Sequence, residues 1–157
     1  MIIHLKNRAL LKLSGSENEA FLQAQLSNDI SKIDYSHVQL NAYCQHQGKI
    51  LALFWVIRTG DDFLLSFPLD LLDSINARLQ MFVLMSDVKI TNVTKQYLQI
   101  GLIGKSQKDS LTINGQLSLI LTNPKNLSKF DLTSQDHWDK ACIDSFLPEV
   151  SIASTET

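Results

Sequence analysis

The chain has 157 residues, 45% hydrophobic and 19% charged, and its 14 basic and 16 acidic residues leave a formal net charge of -2. A domain of that length buries roughly 68 to 70% of its unfolded surface and needs no disulfide or metal staple. The balanced charge argues against an electrostatic nucleic-acid binder, which needs a basic stripe to release counterions, and the apolar content argues against disorder.

In chain order, Ala9 to Leu13 reads as a short strand broken by Ser14-Gly15. Ser16, with Glu19 three residues on, forms a capping box that predicts a helix to about Leu26, stopped by Ser27-Asn28-Asp29. Leu40 to Cys44 and Lys49 to Arg58 read as strands around Gln45 to Gly48, where Gly48 supplies the positive φ of a hairpin corner. The run Ile50 to Ile57 does not alternate, which suits a central strand covered on both faces. It is far shorter than the about 20 residues that span a bilayer. Thr59 to Asp62 turns the chain into a third strand, Phe63 to Phe67.

Pro68 suits the first turn of a helix whose buried stripe is Leu72, Ile75, Leu79, Phe82 and Val83. Val88 to Val93 and Tyr97 to Ile103 read as strands. Asn114-Gly115 is a two-residue hairpin signal, with positive φ expected at both residues, between Leu111 to Ile113 and Gln116 to Leu121. Thr122 to Ser134 has the composition of a surface connection, and Ser134 caps a last helix from Gln135 to about Ser145, ended by Pro148. The sum is one α+β domain over 1–157, with at least six strands and three helices, in which about 94–133 reads as an inserted subdomain.

Cys44 and Cys142 lie outside any C-x-x-C spacing, and the N-terminus has no basic region before a long apolar run, so a reduced, cytoplasmic protein is expected. His4, His37, His46 and His137 have no partner at ligand spacing, so no metal is expected. Gly104-Lys105-Ser106 lacks the phosphate-loop glycine, Gln99 standing in its place, and no Gly-x-Ser-x-Gly elbow occurs. Asp61-Asp62 and Asp136 with Asp139 sit where turns and helix starts attract aspartate for capping alone. Cys44 closes a strand beside a turn, facing either core or cleft; a free cysteine is ordinarily a small buried hydrophobe. Trp138, in the polar start of the last helix, is either a packing anchor or a flat stacking surface for a ring-bearing ligand.

Four ordered blocks carry a family resemblance. Leu13-Ser14-Gly15 followed by Phe21-Leu22-Gln23-Ala24-Gln25-Leu26-Ser27-Asn28-Asp29-Ile30 resembles the opening of the YgfZ family of folate-binding proteins, related to the T-protein of the glycine cleavage system. Ala42-Tyr43-Cys44 through Gly48-Lys49 is similar to that family's A-x-C-x-x-x-G-K/R, and Leu79 through Ile90 to its L-x-x-Y-V-x-x-S-K-V-x-I. Trp138 to Val150 is similar to its W…I-x-x-G-x-P-x-I.

The resemblance implies an α+β folate-binding domain with mixed or antiparallel sheets, flanking helices and intertwined subdomains, one of them shortened, without the family's C-terminal barrel. It implies tetrahydrofolate as ligand and iron–sulfur enzymes or assembly proteins as partners, including enzymes that methylthiolate tRNA, with no direct nucleic-acid or membrane contact. Trp138 matches a family tryptophan assigned to folate contact, and Arg8 falls where the family has its partner tryptophan; Gln25, Asn28, Tyr43 and Cys44 are carried over as motif or pocket positions. The family's L-Q-G-Q glycine is Ala24 here, and its K-G-C-Y-x-G-Q-E motif is not found in the sequence. The residues matching the T-protein acid are Ala52 and Leu53, which exchange no proton; the expectation is an accessory protein rather than an enzyme. A remnant that keeps the fold for interaction alone is the alternative, and an aminomethyltransferase ranks behind both.

Overall fold

A computed structural model describes residues 1–104 and 106–145. The first two strands, β1 (Ile2–His4) and β2 (Arg8–Ser14), enter different sheets. The other strands are β3 (Gln39–Cys44), β4 (Ile50–Thr59), β5 (Asp62–Pro68), β6 (Lys89–Asn92), β7 (Leu98–Ile103), β8 (Leu111–Thr112) and β9 (Leu117–Thr122). One sheet runs β1, β7, β9, β8 and the other β3, β4, β5, β2, β6, with every ladder antiparallel. Pairing of β1 with β7 sends the N-terminal strand into the sheet built by the later half of the chain, which is the intertwining the resemblance implies.

The five-stranded sheet is covered twice. Ala52, Phe54 and Val56 of β4 join a core with Phe21 and Leu22 of α1 (Asn18–Gln25) and Ile75 and Leu79 of α2 (Leu72–Phe82). Trp55 and Ile57 of the same strand face the other way, into a core with Leu10, Leu64, Leu117, Leu119 and Trp138. Burial on both faces explains the unbroken apolar run of β4; β5, rather than β4, holds the central position. A third cluster, Leu98, Ile100 and Leu102 with Leu127 and Phe130, covers the outer face of the smaller sheet. The polar stretch 122–134 thus contributes a short 3-10 helix, Pro124–Lys129, and apolar side chains that pack.

Several local expectations are corrected by tertiary contacts. Ser16 does not cap α1: its hydroxyl donates to the Asp87 carboxylate at 2.6 Å, and the Glu17 carboxylate accepts from the Asp87 backbone N–H. Competition from the turn after α2 takes the Ser16 hydroxyl and the Ser16 backbone N–H, both of which donate to the Asp87 carboxylate. Pro68 ends β5, paired with Arg8, instead of opening the helix. Phe82 is half exposed, since α2 buries only Ile75 and Leu79 fully. Asn114 and Gly115 join β8 to β9 without positive φ; the Asn114 carboxamide instead accepts from the N–H groups of Gln116 and Leu117, an Asx-type turn. Ser134 stands at the start of α3 (Gln135–Asp144), but its hydroxyl meets His137 Nδ1 at 3.1 Å and caps no backbone N–H. Pro148 and the end of the fourth motif lie outside the described residues.

Candidate functional site

Arg8 opens β2 opposite Pro68 and is buried. Its guanidinium carbon lies 3.6 Å from the centre of the Trp55 ring, so the cation rests on the indole face. Nε donates to Ser66 Oγ and Nη2 to the Ser66 carbonyl, both at 2.9 Å. Ser66 Oγ in turn donates to Gln99 Oε1 at 2.5 Å, and the Gln99 amide donates to the carbonyls of Arg8 and Ala9 at 3.3 Å. This buried network ties β2 and β5 of the larger sheet to β7 of the smaller one.

Trp138 lies on α3 and is 3% exposed. A Cβ on Gly101 would stand 2.5 Å from its Cζ3, so the glycine of β7 is what lets the indole approach the strand this closely. The Trp55 ring meets it edge-on, centroids 6.0 Å apart. The residue anchors packing, and it also borders a hollow of about 180 Å3 together with Leu5, Asn7, Arg8, Pro68, Gln135 and Asp139. Arg8 and Trp138, the two residues singled out by resemblance from opposite ends of the chain, thus line one cavity.

Gln135 gives the hollow a chemical preference. Its amide nitrogen donates to Asp139 Oδ1 at 3.2 Å, which fixes the orientation of the group, while Oε1 is buried with no hydrogen-bond partner. A buried acceptor without a partner costs about 1 to 3 kcal/mol, so a ligand N–H placed there relieves a standing penalty. The 180 Å3 volume lies below the roughly 300 to 1,000 Å3 of sites for drug-sized ligands, and suits a ring rather than a long molecule.

The other motif residues lie elsewhere. Tyr43 is buried among the helix-side core residues, its ring 5.6 Å from Phe54; burial pushes its phenol up and Arg78 beside it draws it partway back. Cys44, expected as a small buried hydrophobe, is exposed, displaced by a register shift between Tyr43 and Cys44. Gln25 closes α1, half-buried, and the backbone N–H of Asn28 donates to Asn41 Oδ1 at 2.8 Å, stitching the end of that helix to β3. Asp62 pairs with Lys12 at 3.4 Å. Sequence reading missed Trp55, Ser66, Gln99 and Gln135; of these, only Gln135 carried a local signal, one helical turn before Asp139.

A second polar cluster is structural. Asp34 Oδ1 accepts from the backbone N–H of Ser36 and from His37 Nδ1, both at 2.9 Å, and the Ser36 hydroxyl also donates to it. The Ser36 N–H first, and then the His37 side chain, hold the Asp34 carboxyl down at about 2. A depressed carboxyl lends its stability above the unfolded value near 3.8 and loses it as pH falls toward about 2. A carbon NMR titration should find Asp34 titrating near 2, with the Ser36 and His37 amides moving in step; a midpoint near 3.8 would show that the turn does not form in solution.

No family model matches the chain. It is 29% identical over 104 residues to the tRNA-modifying protein YgfZ of Colwellia psychrerythraea, covering 66% of this chain and 32% of that protein. It is 38% identical over 95 residues to an aminomethyltransferase of Exiguobacterium sibiricum, covering 60% of this chain and 26% of that protein. Among solved structures, the glycine cleavage system aminomethyltransferase T of Bartonella henselae superposes with a TM-score of 0.65 at 13% identity, over 98% of this chain and 48% of that one. The chain spans about half the length, or less, of the curated relatives it matches. Its relatives therefore include YgfZ and aminomethyltransferases, and its fold is that of about half of an aminomethyltransferase T, as the motif blocks led us to expect. Among the described residues, no helix is long and apolar enough to cross a membrane.

Proposed function

We propose that this chain, a relative of YgfZ and of the aminomethyltransferases, binds the ring system of tetrahydrofolate in the hollow bordered by Arg8 and Trp138, and serves as a non-catalytic accessory protein. The observation that carries this reading is the buried, unpartnered Gln135 Oε1 beside the indole. A pterin presents adjacent N–H donors on one edge, and Gln135 Oε1 with the Asp139 carboxylate offers acceptors for them. The small volume admits the bicyclic head, leaving the benzoylglutamate tail outside, where the positive charge of Arg8 favours its carboxylates.

Accessory rather than enzymatic action rests on Ala52 and Leu53. Ala52 is buried in the helix-side core and Leu53 is half-buried, so neither position offers a group that moves a proton. No folate-dependent release of ammonia from an aminomethylated lipoyl carrier is expected; its appearance would overturn the non-catalytic assignment. Relationship to a tRNA-modifying protein supports a role in tRNA modification; the extension to iron–sulfur enzymes, those that methylthiolate tRNA included, and to the cytoplasm rests on the motif resemblance alone. Isothermal titration with tetrahydrofolate tests the ligand. Gln135→Leu keeps the size of the side chain and removes the acceptor, so it should weaken binding by about tenfold or more. No heat from the wild-type chain at millimolar ligand would defeat the proposal.

One observation favours a second reading, an interaction module. Leu84 and Met85, 85% and 96% exposed, occupy the corner of the turn after α2 beside the exposed Met81 and Phe82. Turn corners ordinarily carry polar residues or glycine, and an apolar patch held in the open suits a protein partner. Under that reading, Leu84→Ser with Met85→Ser abolishes self-association or hydrophobic dye binding; unchanged behaviour counts against it.

A further inference from the structure

A different hollow, of about 270 Å3, lies where the turn between β4 and β5 meets the segment before β8. Ile57, Leu64 and Leu121 give it apolar walls, Tyr35 and Tyr97 contribute phenol rings, and Arg58 and Asp109 bring one charge of each sign. A mostly apolar concavity with a few placed polar groups is the usual form of a small-molecule site.

Three features point to an occupant. The Arg58 guanidinium lies 5.4 Å from the Tyr35 ring and 5.6 Å from the Phe63 ring, and its Nε is buried without a hydrogen-bond partner. Among the described residues Arg58 forms no ion pair, although Asp61 and Asp62 are close in the chain and Asp62 is engaged by Lys12. A half-buried guanidinium held on ring faces without an ion pair is open to an anion, for which its planar fork is well shaped. Second, Asp109 is the one non-glycine among the described residues with positive φ, at 67°. Such a conformation costs free energy, and it persists here at the border of a cavity. Third, Tyr35 is 60% exposed, yet its hydroxyl donates to the Gly60 carbonyl at 3.2 Å, which tethers the ring over the turn.

We propose that this hollow binds a flat ring with a 2-amino-4-oxopyrimidine edge and an anionic substituent: the ring against Tyr35 and Tyr97, the paired N–H donors on the Asp109 carboxylate, and the anion on Arg58. Guanine nucleotides and small acidic pterins share this chemistry. The site involves none of the residues of the Arg8–Trp138 hollow.

The test is isothermal titration of the full chain carrying Gln135→Leu, which disables the first hollow, with guanosine monophosphate, pterin-6-carboxylate and, as control, adenosine monophosphate. The guanine nucleotide or the pterin should bind as it does to the wild-type chain, the tighter of the two identifying the source, with adenosine monophosphate about tenfold weaker or worse because it lacks the donor edge. Arg58→Gln should weaken binding by about tenfold or more. Asp109→Gly removes the carboxylate at a φ glycine tolerates, so it keeps the fold, verified by circular dichroism, and should erase the preference over adenosine monophosphate. No heat from either ligand at millimolar concentration, equal binding of adenosine monophosphate, or indifference to both substitutions would overturn the proposal. Loss of tetrahydrofolate binding alone in Gln135→Leu would leave it standing.

Discussion

Trp138→Ala should lower the unfolding free energy by about 3 to 5 kcal/mol, the usual cost of truncating a buried indole. The ring is 3% exposed, rests on Gly101 of β7 and meets Trp55 edge-on. Relaxation into the space is hindered, because β7 is paired on both sides and Trp55 is fixed under the Arg8 guanidinium. Urea denaturation at neutral pH measures the change; a loss below about 1 kcal/mol would mean that α3 does not dock as described. The same reasoning makes this substitution a poor probe of ligand binding, since it removes a packing anchor together with a cavity wall. Gln135→Leu separates the two roles.

Gly15→Ala should be nearly as damaging, at about 3 kcal/mol. Gly15 has φ of 108°, and an added Cβ would lie 2.2 Å from the Asp87 carbonyl oxygen and 3.0 Å from Val88 Cα, both backbone atoms. A left-handed conformation costs an alanine about 1 to 2 kcal/mol, and displacing the 86–88 backbone adds overpacking of similar size. That backbone is not free to move: Ser16 and Glu17 both hold Asp87. Gly60→Ala is the internal control, with φ of 57° and nothing within 4 Å of the new methyl, and it should cost only about 1 kcal/mol. Equal losses for the two variants would contradict the contact between Gly15 and the turn after α2.

Much of the fold was legible because its elements carry strong local patterns. The β3–β4 hairpin follows from Gly48, whose φ is 89°, and the burial of β4 on two faces follows from its unbroken apolar run. What the sequence could not show was who competes for each polar side chain. Ser16 with Glu19 spells a helix cap, but the carboxylate of Asp87, distant in sequence, takes both the Ser16 hydroxyl and the backbone N–H that Glu19 would have accepted from. Asn114-Gly115 was spelled as a turn with positive φ, and the Asn114 side chain made a different turn by bonding the backbone itself. The site divided in the same way. Resemblance picked out Arg8 and Trp138, whereas the groups that shape their environment, Trp55, Ser66 and Gln99, looked like ordinary strand residues until β2, β5 and β7 were brought together.

Titrating tetrahydrofolate into nitrogen-labelled protein and following the indole N–H signals tests the folate assignment most directly, since the chain has only two tryptophans, Trp55 and Trp138. The Trp138 signal and the Gln135 side-chain amide should shift together and saturate, while the Gly60 amide stays in place. Unmoved indole signals at millimolar ligand, or shifts confined to the neighbourhood of Tyr35 and Tyr97, would contradict that assignment.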